Sequence, residues 1–193
     1  MNDPTPTPPT PSIPFVPRTT APSSTDLHWI KTTHGGYNRC IAINQTTGSV
    51  LPNCTGYAWG RFLEENQITD CNLSRGDAEG WYNLTSDGYE RGQTPRLGAV
   101  ICWNSTRSGG HVAIVEKIYS DGKLLTSNSA YSGSRFYTKK LSPPNYYMGS
   151  AYSFEGFIYP PNNFDPNPPE STRYKHKYPW FIQARRLRNK IIQ

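Results

Sequence analysis

Two kinds of hydrophobic pattern follow one another along this chain. Over 54–66, CTGYAWGRFLEEN sets Tyr57, Ala58 and Phe62 near helical spacing, which predicts a helix. Glu64 and Glu65 fall late in it, where they oppose the helix dipole. A second helix is predicted over 74–88, SRGDAEGWYNLTSDG, with Ser74 as its cap and Ala78, Trp81 and Tyr82 facing inward. Then the period changes. LGAVICW (97–103) and GHVAIVEKIY (110–119) are rich in β-branched and aromatic residues, and SDG at 120–122 is a hairpin turn ahead of KLLTSNSAY. SRFYTKKL and FEGFIYP supply two further strands. Helices first and antiparallel strands afterwards make an α+β domain.

The flanks lack either pattern. Prolines interleaved with Thr and Ser crowd the start, so residues 1–26 are expected to be an extended, partly polyproline II linker, of the kind that attaches a module within something larger. The folded domain is placed at 27–160. Residues 161–193 read as a Pro/Asn linker followed by a basic tail. In that tail Trp180, Ala184, Leu187 and Ile191 share one face of a predicted amphipathic helix, suited either to packing and assembly or to surface binding.

Composition narrows the function classes. A chain of 193 residues holds one domain with extensions, and 18 Pro with 16 Gly favour loops and half-buried strands over a helical bundle. The net charge of +6 suits an anionic partner such as a nucleic acid, a membrane surface or a wall polymer. No motif for reading grooves or stacking bases accompanies it, so nucleic acid is not expected as a partner. No apolar run is long enough to span a membrane, and the N-terminus lacks the basic start and apolar centre of a secretion signal. Cys40, Cys54, Cys71 and Cys102 have spacings that fit no common zinc pattern, which leaves a disulfide among Cys40, Cys71 and Cys102, or simple burial, open.

Cys54 is the residue with chemical promise. At a helix start, backbone N–H groups and the dipole favour a thiolate, which predicts a thiol more acidic than a free one. A buried structural cysteine fits the spacing equally well until a histidine is found for it. Among His28, His34, His111 and His176, only His111 is set at the start of a strand, behind two glycines. A cysteine at a helix start with a histidine at a later strand start is the layout of papain-like hydrolases.

The ordered pieces LPNCTGYAWGR, PRLGAVICW, GGHVAIVEKIYSDG and FEGFIYP resemble the CHAP family, the cysteine- and histidine-dependent amidohydrolase/peptidase domains of phage lysins and bacterial wall hydrolases. The resemblance covers about residues 48–159. It implies a papain-like α+β fold, with N-terminal helices packed on an antiparallel sheet or partial barrel, and makes 27–160 a CHAP-like catalytic domain. Cys54 is then the nucleophile and His111 its base, with Asn128 orienting the imidazole; a one-residue slip in register would nominate Ser127 or Ser129 instead. The Cys54 backbone N–H and the Asn53 side chain are the candidates for the oxyanion hole.

Some similar phage domains carry an acidic calcium loop ahead of the cysteine. Here no acidic residue lies between Cys40 and Cys54, so no metal and no cofactor is expected. The substrate implied is bacterial peptidoglycan, cut at the N-acetylmuramoyl-L-alanine bond or within its peptides. Trp59, Trp81, Trp103 and Tyr131 are candidates for groove walls. The implied setting is a phage virion tail, or release from the host cytoplasm to reach the wall, with the Pro-rich and basic ends available to other tail proteins. The alternative is a non-catalytic structural or wall-binding module of a phage particle.

Overall fold

The computed structural model describes residues 13–22, 26, 28 and 52–165. The predicted tail helix, with His34, Cys40 and His176, lies outside them. Within them the chain forms strand β1 (Ile13–Pro14), helix α1 (Cys54–Asn66) and strands β2 (Arg91–Gly92), β3 (Val100–Ser105), β4 (His111–Ile118), β5 (Leu124–Ser129), β6 (Phe136–Leu141), β7 (Tyr152–Ile158) and β8 (Phe164–Asp165). The main sheet has the order β2-β7-β3-β4-β5-β6, with every neighbouring pair antiparallel. This is an α+β architecture.

One helix, not several, accompanies the sheet among the described residues. Helix α1 starts at the Asn53 cap and ends where Gln67 turns left-handed, at φ 55°. The second predicted helix is instead two short 3-10 turns, Ala78–Gly80 and Thr85–Asp87. Two effects break it. The Glu79 N–H donates to the Gly109 carbonyl across the fold, and Gly88 adopts φ 78°. The inward residues of the pattern still find the core, with Ala78 and Trp81 buried.

Both faces of the sheet are covered, which explains why β3 and β4 read as nearly continuous apolar runs. Val100 and Cys102 of β3, with Val112 and Ile114 of β4, pack under α1 against Ala58, Trp59, Phe62 and Leu63. Their alternates Ile101, Trp103, Ala113 and Val115 face a second core with Leu124, Leu141, Tyr146 and Phe157. Trp103 Nε1–H donates to the Tyr146 carbonyl at 2.9 Å, tying the 142–151 loop to that face. Trp59, Trp81 and Trp103, expected as groove walls, are all fully buried; Tyr131 is 89% exposed.

Part of the Pro-rich segment lies against the domain. Strand β1 pairs in parallel with β8, and Phe15 is buried against Phe164 with ring centroids 5.1 Å apart. Prolines do not prevent this, because the short β1 pairing draws on the N–H groups of Ile13 and Phe15. The segment and its β8 partner thus contribute to the fold from both sides of the 27–160 span.

Candidate active site

Helix α1 carries Cys54 at its first position. Asn53 fixes that end: its Oδ1 accepts from the Gly56 N–H at 3.1 Å and from the Thr55 hydroxyl at 2.8 Å. The Cys54 sulfur meets backbone N–H groups of Val112, Thr55 and its own residue. Val112 is the neighbour of His111, so the contact brings the helix start to the start of β4.

Gly110 makes that approach possible. It holds φ 78°, and a Cβ there would stand 2.6 Å from the Glu79 nitrogen and 2.7 Å from the Trp103 carbonyl oxygen. Any side chain would push the Ala78–Gly80 turn off the strand that begins with His111.

The imidazole is fixed by Asn128. His111 Nε2 lies 3.1 Å from Asn128 Oδ1, and both residues are buried. Asn128 Nδ2 donates to the Thr126 carbonyl at 3.2 Å and to Thr126 Oγ1 at 3.0 Å, while Oγ1 spends its own proton on the Lys139 carbonyl. The amide therefore presents its oxygen to the ring, so Nε2 carries the proton and Nδ1 is the bare nitrogen. Trp103 and Tyr152 flank the ring at 5.8 and 6.1 Å between centroids.

The serines on either side of Asn128 point the other way. Ser127 donates to Glu116 at 2.6 Å and accepts from the Tyr57 hydroxyl at 2.8 Å, and Ser129 donates to the Pro52 carbonyl. The period of two decides it: residues 127 and 129 face α1, and residue 128 faces His111.

The charge state differs from the sequence expectation. Burial pushes the Cys54 thiol up, despite the three N–H groups that favour its anion, and nearby Asp77 adds to the rise. Burial also pulls His111 down to about 4, against the opposing effect of its Asn128 hydrogen bond. Near neutral pH the pair is thiol and neutral imidazole, not a preformed ion pair, because desolvation outweighs the hydrogen bonds that favour the charged forms.

Sequence reasoning missed the polar network behind the dyad. Arg61 Nε and one terminal nitrogen hold the Glu116 carboxylate at 2.9 Å each, and Glu116 also accepts the Ser127 hydroxyl and the Arg18 main-chain N–H at 2.8 Å. The network ties α1 to β4 and β5 through buried charges. Its signal was present in the GR of the cysteine segment and the VE of the histidine segment, which read only as helix and strand residues.

As for a metal, Asp26, His28 and Glu64 each bring one ligand atom within 4.8 Å of the others. The Arg18 guanidinium already bonds both carboxylates there and supplies the positive charge. Cys102 is a buried free thiol.

Residues 44–130 match the CHAP domain family, and Cys54, His111 and Asn128 all fall inside that span. A probable autolysin of Staphylococcus aureus, SsaALP, is 29% identical over 101 residues, covering 52% of this chain and 37% of its own. The N-acetylmuramoyl-L-alanine amidase sle1 of the same organism is 26% identical over 124 residues, covering 61% of this chain and 34% of its own. An S. aureus protein described as containing an N-acetylmuramoyl-L-alanine amidase domain is 33% identical over 86 residues, 42% of this chain and 14% of its own. The chain thus spans little more than a third, at most, of these relatives. A crystal structure of an S. aureus N-acetylmuramoyl-L-alanine amidase aligns at a TM-score of 0.40 and 26% identity, over 56% of this chain and 31% of that one. Over residues 44–130, the chain is similar to the CHAP domain family.

Proposed function

We propose that this domain is a peptidoglycan hydrolase that cuts an amide with a papain-like Cys–His pair. The carrying observation is the oriented imidazole: Asn128 holds the Nε2 proton and leaves Nδ1 bare, beside the backbone that meets the Cys54 sulfur. The names of the amidase and autolysin relatives support the wall as substrate.

The steps follow from these groups. Nδ1 of His111 takes the Cys54 proton as the sulfur attacks the amide carbonyl, forming a C–S bond and an oxyanion. The Cys54 backbone N–H and Asn53 Nδ2 are its donors; Asn53 Oδ1 is spent on the helix cap. The C–N bond breaks as His111 returns its proton to the leaving amine. A water deprotonated by His111 then attacks the thioester carbonyl, the C–S bond breaks and the thiol is restored. The bond cut is that between the muramoyl lactyl group and L-alanine, or one within the wall peptide.

For the setting we propose a phage lysin, tail-associated or released from the host cytoplasm, whose Pro-rich and basic flanks serve as docking segments for other tail proteins. The autolysin named among the relatives favours a second setting, remodelling of a bacterium's own wall.

Mass spectrometry of fragments released from purified Gram-positive peptidoglycan tests the chemistry. Release by the native protein and none by Cys54→Ala is expected, and the fragment masses name the bond. If folded, reduced protein releases nothing from several wall types, the reading gives way to a wall-binding module.

A further inference from the structure

Beside His111 the surface forms a concavity of about 440 Å³, lined by Tyr131, Arg135, Tyr137, Lys139 and Tyr152 among others. Its lining includes two cations and no carboxylate. Of the described arginines, Arg107 and Arg135 have no carboxylate partner among the described residues, and of these two Arg135 lines the concavity. Arg18, Arg61, Arg75, Arg91 and Arg96 all pair with carboxylates of their own chain. Among the described residues no carboxylate pairs with Arg135, whose guanidinium lies over the Tyr137 ring, 5.1 Å from its centroid. Lys139 is half-buried, gives one hydrogen bond to the Met148 carbonyl at 2.7 Å, and stands close enough to His111 to oppose its protonation.

The far side of the dyad has the opposite sign. Asp77 is exposed, acts on the Cys54 thiol and lies against Gly109, and exposed Glu79 follows it in the same turn. A substrate lying across Cys54 and His111 therefore meets negative charge at the 77–79 turn and positive charge at β6. An anionic group is repelled from the first and drawn to the second.

We propose that Arg135 and Lys139 form a subsite for a free carboxylate of the bound wall peptide, close to the bond that is cut. The proposal rests on the hydrolase reading for its substrate. Arginine matches a carboxylate in geometry as well as charge, because its planar fork gives two parallel N–H donors. The tyrosine walls give the peptide backbone a flat surface beside the pair. An extended residue spans roughly 3.5 Å, so the subsite reads a carboxylate within a few residues of the scissile bond. Amidation of that carboxylate removes the charge it reads.

The test measures binding, so that it does not depend on turnover. Cys54→Ala protein is titrated by calorimetry with two ligand pairs. One is muramyl dipeptide with its second residue as D-isoglutamate or as D-isoglutamine; the other is a stem tetrapeptide with a free or an amidated C-terminus. At least one carboxylate form is expected to bind about tenfold tighter than its amide, the scale of one charge-assisted hydrogen-bonded pair. Adding Arg135→Gln and Lys139→Gln is expected to erase that preference while the affinity for the amide form stays within about twofold, which also reports that the site is folded. Equal binding within both pairs overturns the subsite, as does no binding by folded protein, a preference that survives the double substitution, or inorganic phosphate competing as well as the carboxylate ligand. Absence of wall hydrolysis by the native protein, with the carboxylate preference intact, overturns the hydrolase reading and leaves the subsite standing.

Discussion

At the scale of single residues the site depends on which atoms carry protons. Asn128 orients His111, so Asn128→Ala is expected to lower kcat/KM on wall substrate by about ten- to a hundredfold, less than the loss from Cys54→Ala. Steady-state assays on soluble muropeptides measure both. The depressed His111 also makes a stability prediction. Its folded value is about 4 against an ordinary 6.5, so between those pH values the unfolded chain binds more protons than the native one. The stability present above about pH 6.5 is therefore lost as pH falls towards 4, by about 3 kcal/mol. Urea titrations across that window are expected to show a shallower slope for His111→Gln. The same shift puts the acid limb of a pH–rate profile for the free enzyme below the midpoint of an ordinary histidine.

At the scale of elements, α1 is held on the sheet by buried ion pairs, and two buried glutamates there do opposite things. Glu116 takes both nitrogens of Arg61, whereas neither oxygen of Glu65 has a hydrogen-bond partner among the described residues. Burial drives Glu65 well up, against the pull of Arg61 and with the nearby Glu116 and Glu64 charges adding to the rise, which favours its neutral form. Glu65→Gln is accordingly expected to change stability by no more than about 1 kcal/mol. Glu116→Ala takes the carboxylate from two Arg61 nitrogens and leaves Glu64, bonded to the third at 2.6 Å, as the remaining hydrogen-bonded counter-charge; it is expected to cost about 3 kcal/mol. Thermal unfolding of the two variants beside the parent measures the contrast. A loss for Glu65→Gln as large as that for Glu116→Ala would mean that Glu65 is ionised.

The whole molecule is closed by segments from both flanks. Residues 13–18 cross the back of the domain, with Phe15 buried and the Arg18 main-chain N–H on Glu116. Phe15→Ala is expected to destabilise the protein by about 3 kcal/mol, within the range for a large buried aromatic. A mobile linker would instead leave the melting temperature unchanged. Because Arg18 shares Glu116 with Arg61, the strap and the helix that carries Cys54 are coupled. Phe15 meets the network through the Arg61 guanidinium, 5.4 Å from its ring centroid, and Ser127 through Glu116, so a double-mutant cycle between Phe15→Ala and Ser127→Ala measures that coupling.

Local pattern by itself determined helix α1 and the central strands, since their apolar spacing and β-branched runs survive any packing. Cys54 and His111 were legible for the same reason, one at a helix start and the other at a strand start behind two glycines. Asn128 was legible only to within a residue. The strand period allows Ser127, Asn128 or Ser129, and the β4–β5 register selects which of them faces the imidazole. Tertiary structure alone decided the rest. It broke the 74–88 pattern into turns, because Glu79 bonds across to Gly109. It reversed the expected acidity of Cys54, because desolvation depends on what covers the sulfur and no local sequence encodes that cover. It also drew Arg18, Arg61, Glu116 and Ser127 into one buried network from positions far apart in the chain, and left Arg135 beside His111 without a carboxylate of its own among the described residues. Such pairings depend on distances through space, which one chain's local order does not carry.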